Sequence, residues 1–318
     1  MVEEVLNCLQ PVPGDVAVDC TLGGGGHARA ILKHVQPGGR LIGLDIDPIE
    51  LPRTEARLRS AGFASDTFVA RHENFADLSQ VLGAEGISTV DVMLADLGVS
   101  SMQLDNPDRG FSQRGPGSLD MRMNPTCGES AAHLLKRLTA ADLERLLMEN
   151  ADEPHAVVVA RALKQQSVQT TQAVDRLVRK AISAVFPNVT KPELKLSVRR
   201  TLQAIRIAVN DEFSALDWLL RKLPSCLAPG GRVAVLTFHS GEDRRVKQAF
   251  REGYRAGVYA DVAKNVIRAS MEEIRANRRA SSAKLRWAVR ARMVRDGDER
   301  RFTRRQAPTR RPAPYEWS

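Results

Sequence analysis

Short apolar runs alternate with amphipathic stretches along the first third of the chain. The apolar runs are typical of buried strands, and after the first of them Ile31, Leu32 and Val35 recur at helical spacing. The pattern predicts strands at 16–19, 40–45, 66–70 and 90–96, and helices at 2–9, 27–35, 48–60 and 76–82. Strands and helices in alternation indicate an α/β fold with a parallel, doubly wound sheet.

The pattern changes after residue 96. Residues 97–125 are rich in Gly, Ser, Asp, Asn and Pro, and a connection of this length favours a functional loop. Helical spacing then returns, which predicts an all-helical module. Its helices are expected at 130–138, 140–149, 156–165 and 171–185.

The strand pattern resumes in the last third of the chain, so the helical module interrupts one sheet domain. A long helix is expected first, then a tight turn and two further strands. These elements are predicted at 202–223, 229–232, 233–238 and within 280–290. The predicted domains are a sheet domain in two parts at 1–105 and 201–295, a helical insertion at 106–200, and a basic, disordered tail at 296–318.

Composition narrows the class of protein. The 318 residues are 43% hydrophobic, as in an ordinary globular protein, and the net charge of +9 favours a polyanionic partner or a solvated basic surface. No apolar run reaches the roughly 18 residues of a membrane span, and we expect no secretion signal. The four cysteines show no CxxC pair and no regular spacing. This spacing is typical of reduced thiols in a cytoplasmic protein, and it gives no signature of a zinc site. The cysteines are Cys8, Cys20, Cys127 and Cys226.

The candidate chemistry begins at the glycine turn that follows the first strand. Residues 23–28, GGGGHA, fit the dinucleotide pattern G-x-G-x-x-A, which is a weak signal by itself. Asp19 precedes the glycines, where an acid would repel a pyrophosphate but attract an ammonium or sulfonium group. Asp45 ends the next strand, at the distance where a carboxylate binds ribose hydroxyls. These acids favour S-adenosylmethionine, although an oxidoreductase that binds NAD stays open as an alternative.

Eight motifs together resemble one known family between about Val2 and Arg290. They are GGGGH, LDID, ADLGVSSMQLD, RGFS, LDMRM, LQAIRIAVNDE, PGGRVAVLTFHSGEDRRVK and SSAKLR. The chain resembles the bacterial 16S rRNA (cytosine-1402-N4)-methyltransferases of the MraW type. It departs from them locally, with Ala151-Asp-Glu153 where the family often has Gly-Glu, and with Leu202 in place of an aromatic residue.

The resemblance implies a class I, Rossmann-like methyltransferase sheet with a helical insertion, which uses S-adenosylmethionine in the cytoplasm. It implies 16S rRNA in the small ribosomal subunit as the partner and no membrane. No residue is assigned as a metal ligand, and a homodimer and any metal requirement stay open. Glycine amides would meet the methionine part of the cofactor, an acid its ribose, and an aromatic ring its adenine. The implied cofactor contacts are Gly25, Gly26, His27, Asp45, Phe75, Asp96 and Gln103.

Asp96 is also the candidate catalytic residue, because it follows the fourth strand, where DNA amino-methyltransferases place their acceptor of the amine hydrogen bond. Pure cofactor binding is an equal alternative for Asp96. No cysteine lies near it in sequence, which favours attack by nitrogen over carbon-5 chemistry. His239 and Asp243 are expected on the substrate side, although Asp243 could pair instead with Arg244 or Lys247.

Simpler structural roles stay open for two of the predicted cofactor contacts. Phe75 could be a core aromatic residue, and His27 could serve as a helix cap. A platform for rRNA is expected on basic residues of the insertion and its borders, and a catalytically silent RNA-binding factor remains a further alternative. The platform residues are Arg109, Arg114, Arg122, Arg199 and Arg200.

Overall fold

A computed structural model describes residues 1–112 and 117–292. Arg114 and the predicted disordered tail from residue 296 lie outside these residues. Within them the strands are β1 Val16–Asp19, β2 Arg40–Asp45, β3 Phe68–His72, β4 Val90–Asp96, β5 Leu227–Thr237, β6 Tyr259–Val262 and β7 Lys284–Arg290. The helices are α1 Val2–Leu9, α2 Gly26–Val35, α3 Glu50–Ser60, α4 Leu78–Ala84, α5 Ser101–Asp105, α6 Ala131–Arg137, α7 Ala140–Ala151, α8 Ala156–Lys164, α9 Thr171–Val185, α10 Lys191–Asn210, α11 Glu212–Cys226, α12 Ser240–Arg255 and α13 Met271–Ala276.

The described chain divides into two compact units. The first unit contains Met1–Gly98 and the chain from Ser214 onward, and the second contains Val99–Phe213. The second unit is therefore an insertion in the sequence of the first. The exact domain bounds suggested by the sequence, and the roles attached to them, stay predictions.

The first unit is built on a seven-stranded sheet in the order β3-β2-β1-β4-β5-β7-β6. The strands β1 to β5 all run parallel to one another, while β7 runs antiparallel to both β5 and β6. The strand order reverses between β1 and β4, and ligands of open α/β sheets bind outside the carboxyl ends of strands at such a point. The predicted α/β sheet of class I methyltransferase type is confirmed.

Alternate residues of each central strand supply the two apolar layers that hold the sheet. Ala17 and Leu41 pack with α1 and α2 through residues such as Leu9 and Ile31. On the opposite face, Val18, Ile42 and Met93 pack with α4, α11 and α12. Since both faces are covered, the strands read as continuous apolar runs, as parallel strands do.

The second unit is helical and has its own core. Buried residues from α6 to α10 form one cluster, in which Leu143, Val159, Val178 and Ile205 are fully buried. The apolar spacing of these helices was sufficient to predict α6, α7, α8 and α9 to within a few residues. The predicted all-helical insertion is thus present.

Side chains of Asn210 and Arg109 hold residues 121–123, which precede α6, by hydrogen bonds to their main chain. The Asn210 side chain, at the end of α10, donates to Met121 O at 2.8 Å and accepts from Met123 N at 2.7 Å. The Arg109 guanidinium donates to Met123 O at 2.7 Å. Met121 has a φ of 63°, a left-handed conformation that a non-glycine residue adopts only under such constraint.

Several elements differ from the sequence prediction. The expected helix at 202–223 is two helices, because Asp211 takes a left-handed conformation with φ of 48° and ends α10. Strand β3 begins two residues later than expected, after a turn in which Phe68 N donates to Ala64 O. Strand β6 and the first half of α10 were not predicted. No helix among the described residues is long and apolar enough to span a membrane.

Replacing Asn210 by Ala should destabilise the second unit. The change removes the side chain that pairs with Met121 O, Met123 N and Arg206 O, so about 1–3 kcal/mol of unfolding free energy should be lost. Urea unfolding followed by circular dichroism measures it. Gln203→Ala, at a half-buried position of the same helix, is the control. Equal stability of the two variants would contradict this account of the loop.

Candidate active site

Three carboxylates lie at the carboxyl edge of the sheet, where the strand order reverses. Asp19 ends β1, Asp45 ends β2 and Asp96 ends β4, and these three strands are neighbours in the sheet. Asp19 is 1% exposed, while Asp45 and Asp96 are half-buried. Parallel strands bring their carboxyl ends to one edge, so acids far apart in sequence gather there.

The glycine turn is attached to this edge through Asp45. Gly23 N donates to Asp45 Oδ2 at 2.7 Å, and Asp47 N donates to Asp45 Oδ1 at 2.9 Å. Gly25 precedes helix α2 with a φ of 75°, and a Cβ there would lie 2.8 Å from Thr54 Cγ2. Only glycine fits this position, so the turn brings bare main chain to the start of α2.

Thr21 joins β1 to β4 within the acid cluster. Its main-chain N donates to Asp19 Oδ1 at 3.1 Å, and its hydroxyl accepts from Asp96 N at 2.6 Å. The sequence analysis missed Thr21 and also Thr54, whose hydroxyl donates to Gly23 O. A threonine two residues after an acid at a strand end was the signal available for Thr21, since short hydroxyl side chains commonly bond nearby main chain.

His27 supplies the positive partner of the acids. In the second position of helix α2, its Nδ1 lies 3.4 Å from Asp96 Oδ2. The other polar atoms of this pair, His27 Nε2 and Asp96 Oδ1, are buried and have no hydrogen-bond partner among the described residues. His27 is therefore not a simple side-chain cap of α2, since the helix has no side-chain cap bond.

The protonation of the cluster is coupled through burial and charge. Burial raises the pKa of Asp19 to about 6, against the opposing effects of His27 and the Thr21 amide. Burial also raises the pKa of Asp45, despite the amides of Asp47 and Gly23. For His27, burial lowers the pKa, but the hydrogen bond and charge of Asp96, with the charge of Asp19, outweigh it and raise the pKa overall.

Two further predicted contacts lie in different settings. Phe75 opens a short 3-10 helix after β3, and its half-buried ring packs against the core beneath it. Gln103 lies in the second unit, where it is buried and its Oε1 accepts from Ser100 N at 2.9 Å in a capping box of helix α5. Both residues are held in place by these contacts.

The residues expected on the substrate side are held by local structure. His239 caps helix α12, since its Nδ1 accepts from Glu242 N at 3.4 Å. Asp243 pairs with Arg286 of β7, at 2.6 Å, and its Oδ2 lies 3.7 Å from Lys284 Nζ of the same strand. Although burial raises the pKa of Asp243, the Arg286 guanidinium outweighs it and lowers that pKa overall.

The expected rRNA platform needs one correction. Arg109 is 7% exposed, and its guanidinium donates to the main-chain oxygens of Arg122 and Met123, so it forms part of the loop rather than a surface. Arg122 is half-buried and pairs with Asp120 at 2.7 Å. Arg199 is exposed and Arg200 half-buried.

A cysteine does approach the site in space, although none is close to Asp96 in sequence. Cys20 follows Asp19, and its N donates to Leu94 O of β4 at 2.8 Å. Burial, with the charge of Asp19, raises the pKa of the Cys20 thiol well above its usual value. A thiol in this state is a poor nucleophile, because the thiolate is the reactive form.

A family comparison accounts for this arrangement. The sequence profile of the MraW methylase family matches residues 1–291. The chain belongs to the MraW methylase family. It is an S-adenosylmethionine-dependent methyltransferase, as the resemblance implied.

Relatives of this methylase extend over nearly its whole length. The "Ribosomal RNA small subunit methyltransferase H 2" of Alkaliphilus metalliredigens is 46% identical over 295 residues, which cover 91% of this chain and 84% of the relative. The "Ribosomal RNA small subunit methyltransferase H" of Anaeromyxobacter sp. (strain K) is 43% identical, covering 90% and 95%. A solved rRNA methylase from Streptococcus thermophilus aligns at a TM-score of 0.41 with 10% identity, covering 91% and 93%.

The acid cluster of the methylase fits the chemistry of S-adenosylmethionine. That molecule carries ribose hydroxyls, an amino group and a cationic sulfur, but no phosphate. Buried carboxylates attract the cationic groups, and Asp45 oxygens that each accept one amide retain further lone pairs for hydroxyls. A pyrophosphate would meet repulsion from Asp19, so the NAD alternative is disfavoured here.

Replacing Asp19 by Asn should stabilise the methylase at neutral pH. The pKa of Asp19 lies at about 6 in the folded state against 3.8 normally, so its ionisation destabilises the folded form as pH rises through this interval. The cost above that interval is up to about 3 kcal/mol, and the Asn variant avoids it. Urea unfolding at pH 4 and pH 8 measures the difference. A variant less stable than the parent protein at pH 8 would contradict the analysis.

The His27–Asp96 pair should be visible in the titration of His27. Its pKa is raised above the usual 6.5, so the pair stabilises the folded state below that pH, and this contribution is lost as pH rises through the folded-state pKa. In Asp96→Asn the negative charge that raises the pKa of His27 is removed. Burial, which lowers that pKa, then outweighs the remaining contributions, so the pKa of His27 should fall. NMR titration, with the His27 signal assigned from His27→Gln, measures it. Exposed His34 is the control, and an unchanged His27 pKa would refute the coupling.

Proposed function

We propose that this methylase transfers a methyl group from S-adenosylmethionine to N4 of cytidine 1402 in 16S rRNA of the small ribosomal subunit. The observation that carries the proposal is the buried, unpartnered Asp96 Oδ1 at the edge of the sheet, beside the glycine turn and His27. Family membership and the small-subunit rRNA names of the relatives supply the substrate class.

The cofactor would be held by residues that the fold already positions. Gly26 presents its main-chain amide at the start of α2, and Gly25, whose own N donates to Leu22 O at 2.8 Å, brings bare main chain beside it. Asp45 accepts from the ribose hydroxyls. Phe75 flanks the adenine. When bound, S-adenosylmethionine would supply a methyl group on a positively charged sulfur, and cleavage of that S–C bond by attack along one line would leave a neutral thioether.

Asp96 acts on the amine of the substrate. The lone pair of cytosine N4 is delocalised into the ring, so the amine is a weak nucleophile. A carboxylate oxygen that accepts one N–H bond draws the lone pair out of the ring and takes the proton that N4 loses as the N–C bond forms. His27 Nδ1 lies 3.4 Å from Asp96 Oδ2, which orients the carboxylate and leaves Oδ1 to face the amine.

The protonated thiol of Cys20 agrees with attack by the cytosine N4 atom rather than with methylation at carbon-5. Methylation at carbon-5 would need a thiolate beside the acid cluster, whereas the Cys20 thiol is 2% exposed and strongly protonated. We extend the proposal to a cytoplasmic enzyme, because small ribosomal subunits are found there. A homodimer stays a prediction, which sedimentation of the purified chain would measure.

Asp96→Asn should abolish methyl transfer while the cofactor still binds. The Asn side chain keeps the shape but cannot take up the amine proton. Small subunits that lack the modification are incubated with labelled S-adenosylmethionine, and the modified nucleoside is mapped, while calorimetry measures cofactor affinity. Asp66→Asn, at an exposed position before β3, is the control and should retain full activity. Retained turnover in Asp96→Asn would remove Asp96 from catalysis, and label on another nucleoside would overturn the proposed substrate.

A further inference from the structure

Asp96 and Phe238, the residue that follows β5, leave the same face of the sheet from neighbouring strands. Leu94 of β4 and Leu236 of β5 belong to the apolar cluster that packs against α1 and α2. Side chains alternate along a strand, so Asp96 shares the face of Leu94, and Phe238 shares the face of Leu236. The packing of Phe238 against that cluster and the contact of Asp96 with His27 of α2 agree with this placement.

The register of β4 and β5 sets the separation of the two residues. Asp96 is paired with Leu236, and Leu97 N donates to Leu236 O at 3.0 Å. With about 4.8 Å between strands and about 3.3 Å of rise per residue, the Cα atoms of Asp96 and Phe238 are about 8 Å apart. Aromatic rings stack with about 4.5–7 Å between centroids, so the edge of a base stacked on Phe238 reaches the Asp96 carboxylate.

A glycine leaves one side of the Phe238 ring uncovered. Gly98, two residues after Asp96, has a φ of 97°, and a Cβ there would lie 3.5 Å from Phe238 Cδ2. A larger side chain at this position would therefore cover the ring. The main chain beneath the ring is fixed, because Phe238 N donates at 2.9 Å to Oε2 of the buried Glu242. Phe68 of the same apolar cluster is fully buried, whereas the Phe238 ring is only half-buried.

The order of the strands separates this ring from the residues assigned to the cofactor. Phe75 follows β3, Asp45 ends β2 and Asp19 ends β1. Phe238 follows β5, and in the order β3-β2-β1-β4-β5 the Asp96 of β4 lies between the two groups. The residues assigned to S-adenosylmethionine therefore lie on one side of Asp96. The ring lies on the other side, from which the base that accepts the methyl group has to approach.

A half-exposed ring beside a hydrogen-bond acceptor suits a base that has left its stack. Enzymes that modify a base in a nucleic acid hold it against aromatic or apolar side chains and contact its hydrogen-bonding edge. The Phe238 ring offers the stacking surface. Asp96 Oδ1, which is buried and has no hydrogen-bond partner among the described residues, offers the acceptor for the amine.

We propose that Phe238 stacks on the cytosine whose N4 atom is methylated, and thereby selects a planar base for the acceptor position. The proposal rests on the proposed function, since it names the residue that binds the reacting base. Phe238 holds the amine of that base at Asp96 and takes no part in proton transfer.

Removing the ring should slow methyl transfer without weakening cofactor binding. Phe238→Leu keeps an apolar side chain but loses the stacking surface, so kcat/KM for small subunits that lack the modification should fall roughly 5- to 150-fold. Phe238→Tyr keeps the ring and should recover most of this loss. Labelled S-adenosylmethionine measures the transfer, and calorimetry measures cofactor affinity, which should stay the same.

Phe63→Leu is the matched control for this variant. Phe63 is a half-buried ring of the same apolar cluster, but it precedes β3 and so lies at the opposite edge of the sheet. This variant should methylate like the parent protein, and thermal unfolding checks the fold of every variant. A kcat/KM in Phe238→Leu equal to that of Phe63→Leu would overturn the proposal. So would equal losses in Phe238→Leu and Phe238→Tyr, or a matching loss of cofactor affinity, since the ring would then serve the fold or the cofactor.

A binding measurement that needs no turnover separates this proposal from the proposed function. In saturation-transfer NMR with cytidine monophosphate and S-adenosylhomocysteine, the cytosine ring protons should receive saturation from the parent protein and from Phe63→Leu, and much less from Phe238→Leu. If the parent protein shows this contact yet methylates no small subunit, the proposed function fails and the stacking role stands. If it methylates small subunits and Phe238→Leu has unchanged kcat/KM, the stacking role is overturned and the function stands.

Discussion

The structure depends on holding three carboxylates together at one edge of a sheet against their mutual repulsion. Asp19, Asp45 and Asp96 reach this edge because β2, β1 and β4 are parallel neighbours. Main-chain amides, the Thr21 hydroxyl and the His27 imidazole offset part of the cost, and the raised pKa values of Asp19 and Asp45 show that part of it remains. A site that retains unfavourable negative charge is stabilised when a cation enters it.

This electrostatic arrangement also explains the selectivity of a turn that resembles a dinucleotide site. The glycine positions permit a close approach of main chain, but the acid that precedes them decides which ligand benefits. With Asp19 buried directly beneath the turn, a sulfonium and an amine are favoured and a pyrophosphate is not. The same sheet can therefore serve different cofactors according to one residue at the end of its first strand.

The sequence was most informative where a single local rule decides the outcome. Apolar runs that end in Asp19, Asp45 and Asp96 were enough to place the acids at one edge, because the carboxyl ends of parallel strands lie at the same edge of a sheet. The break at Asp211 was missed, since the apolar spacing continues through it and only a left-handed residue ends the helix. The start of α10 did carry a signal, in Thr190, Pro192 and Glu193.

Other features depend on partners that sequence reasoning could not identify. Asp243 pairs with Arg286, a residue of a strand 43 positions later, whereas neighbours on its own helix seemed better placed. Arg109 looked like a surface cation, yet its guanidinium serves the main chain of the loop. The role of such charged residues can be assigned only when the fold shows which carbonyl oxygens or carboxylates they contact.

The outer strands of the sheet have a consequence for the behaviour of the protein in solution. At one side β6 has only four residues, with an irregular register between Tyr259 and Asp261, and at the other side β3 ends in the exposed Arg71 and His72. Short, charged or irregular margins offer few consecutive unpaired amides to a neighbouring molecule. The two edge strands of this large, mostly parallel sheet are therefore poor templates for pairing with a strand of another molecule, even in a crowded solution.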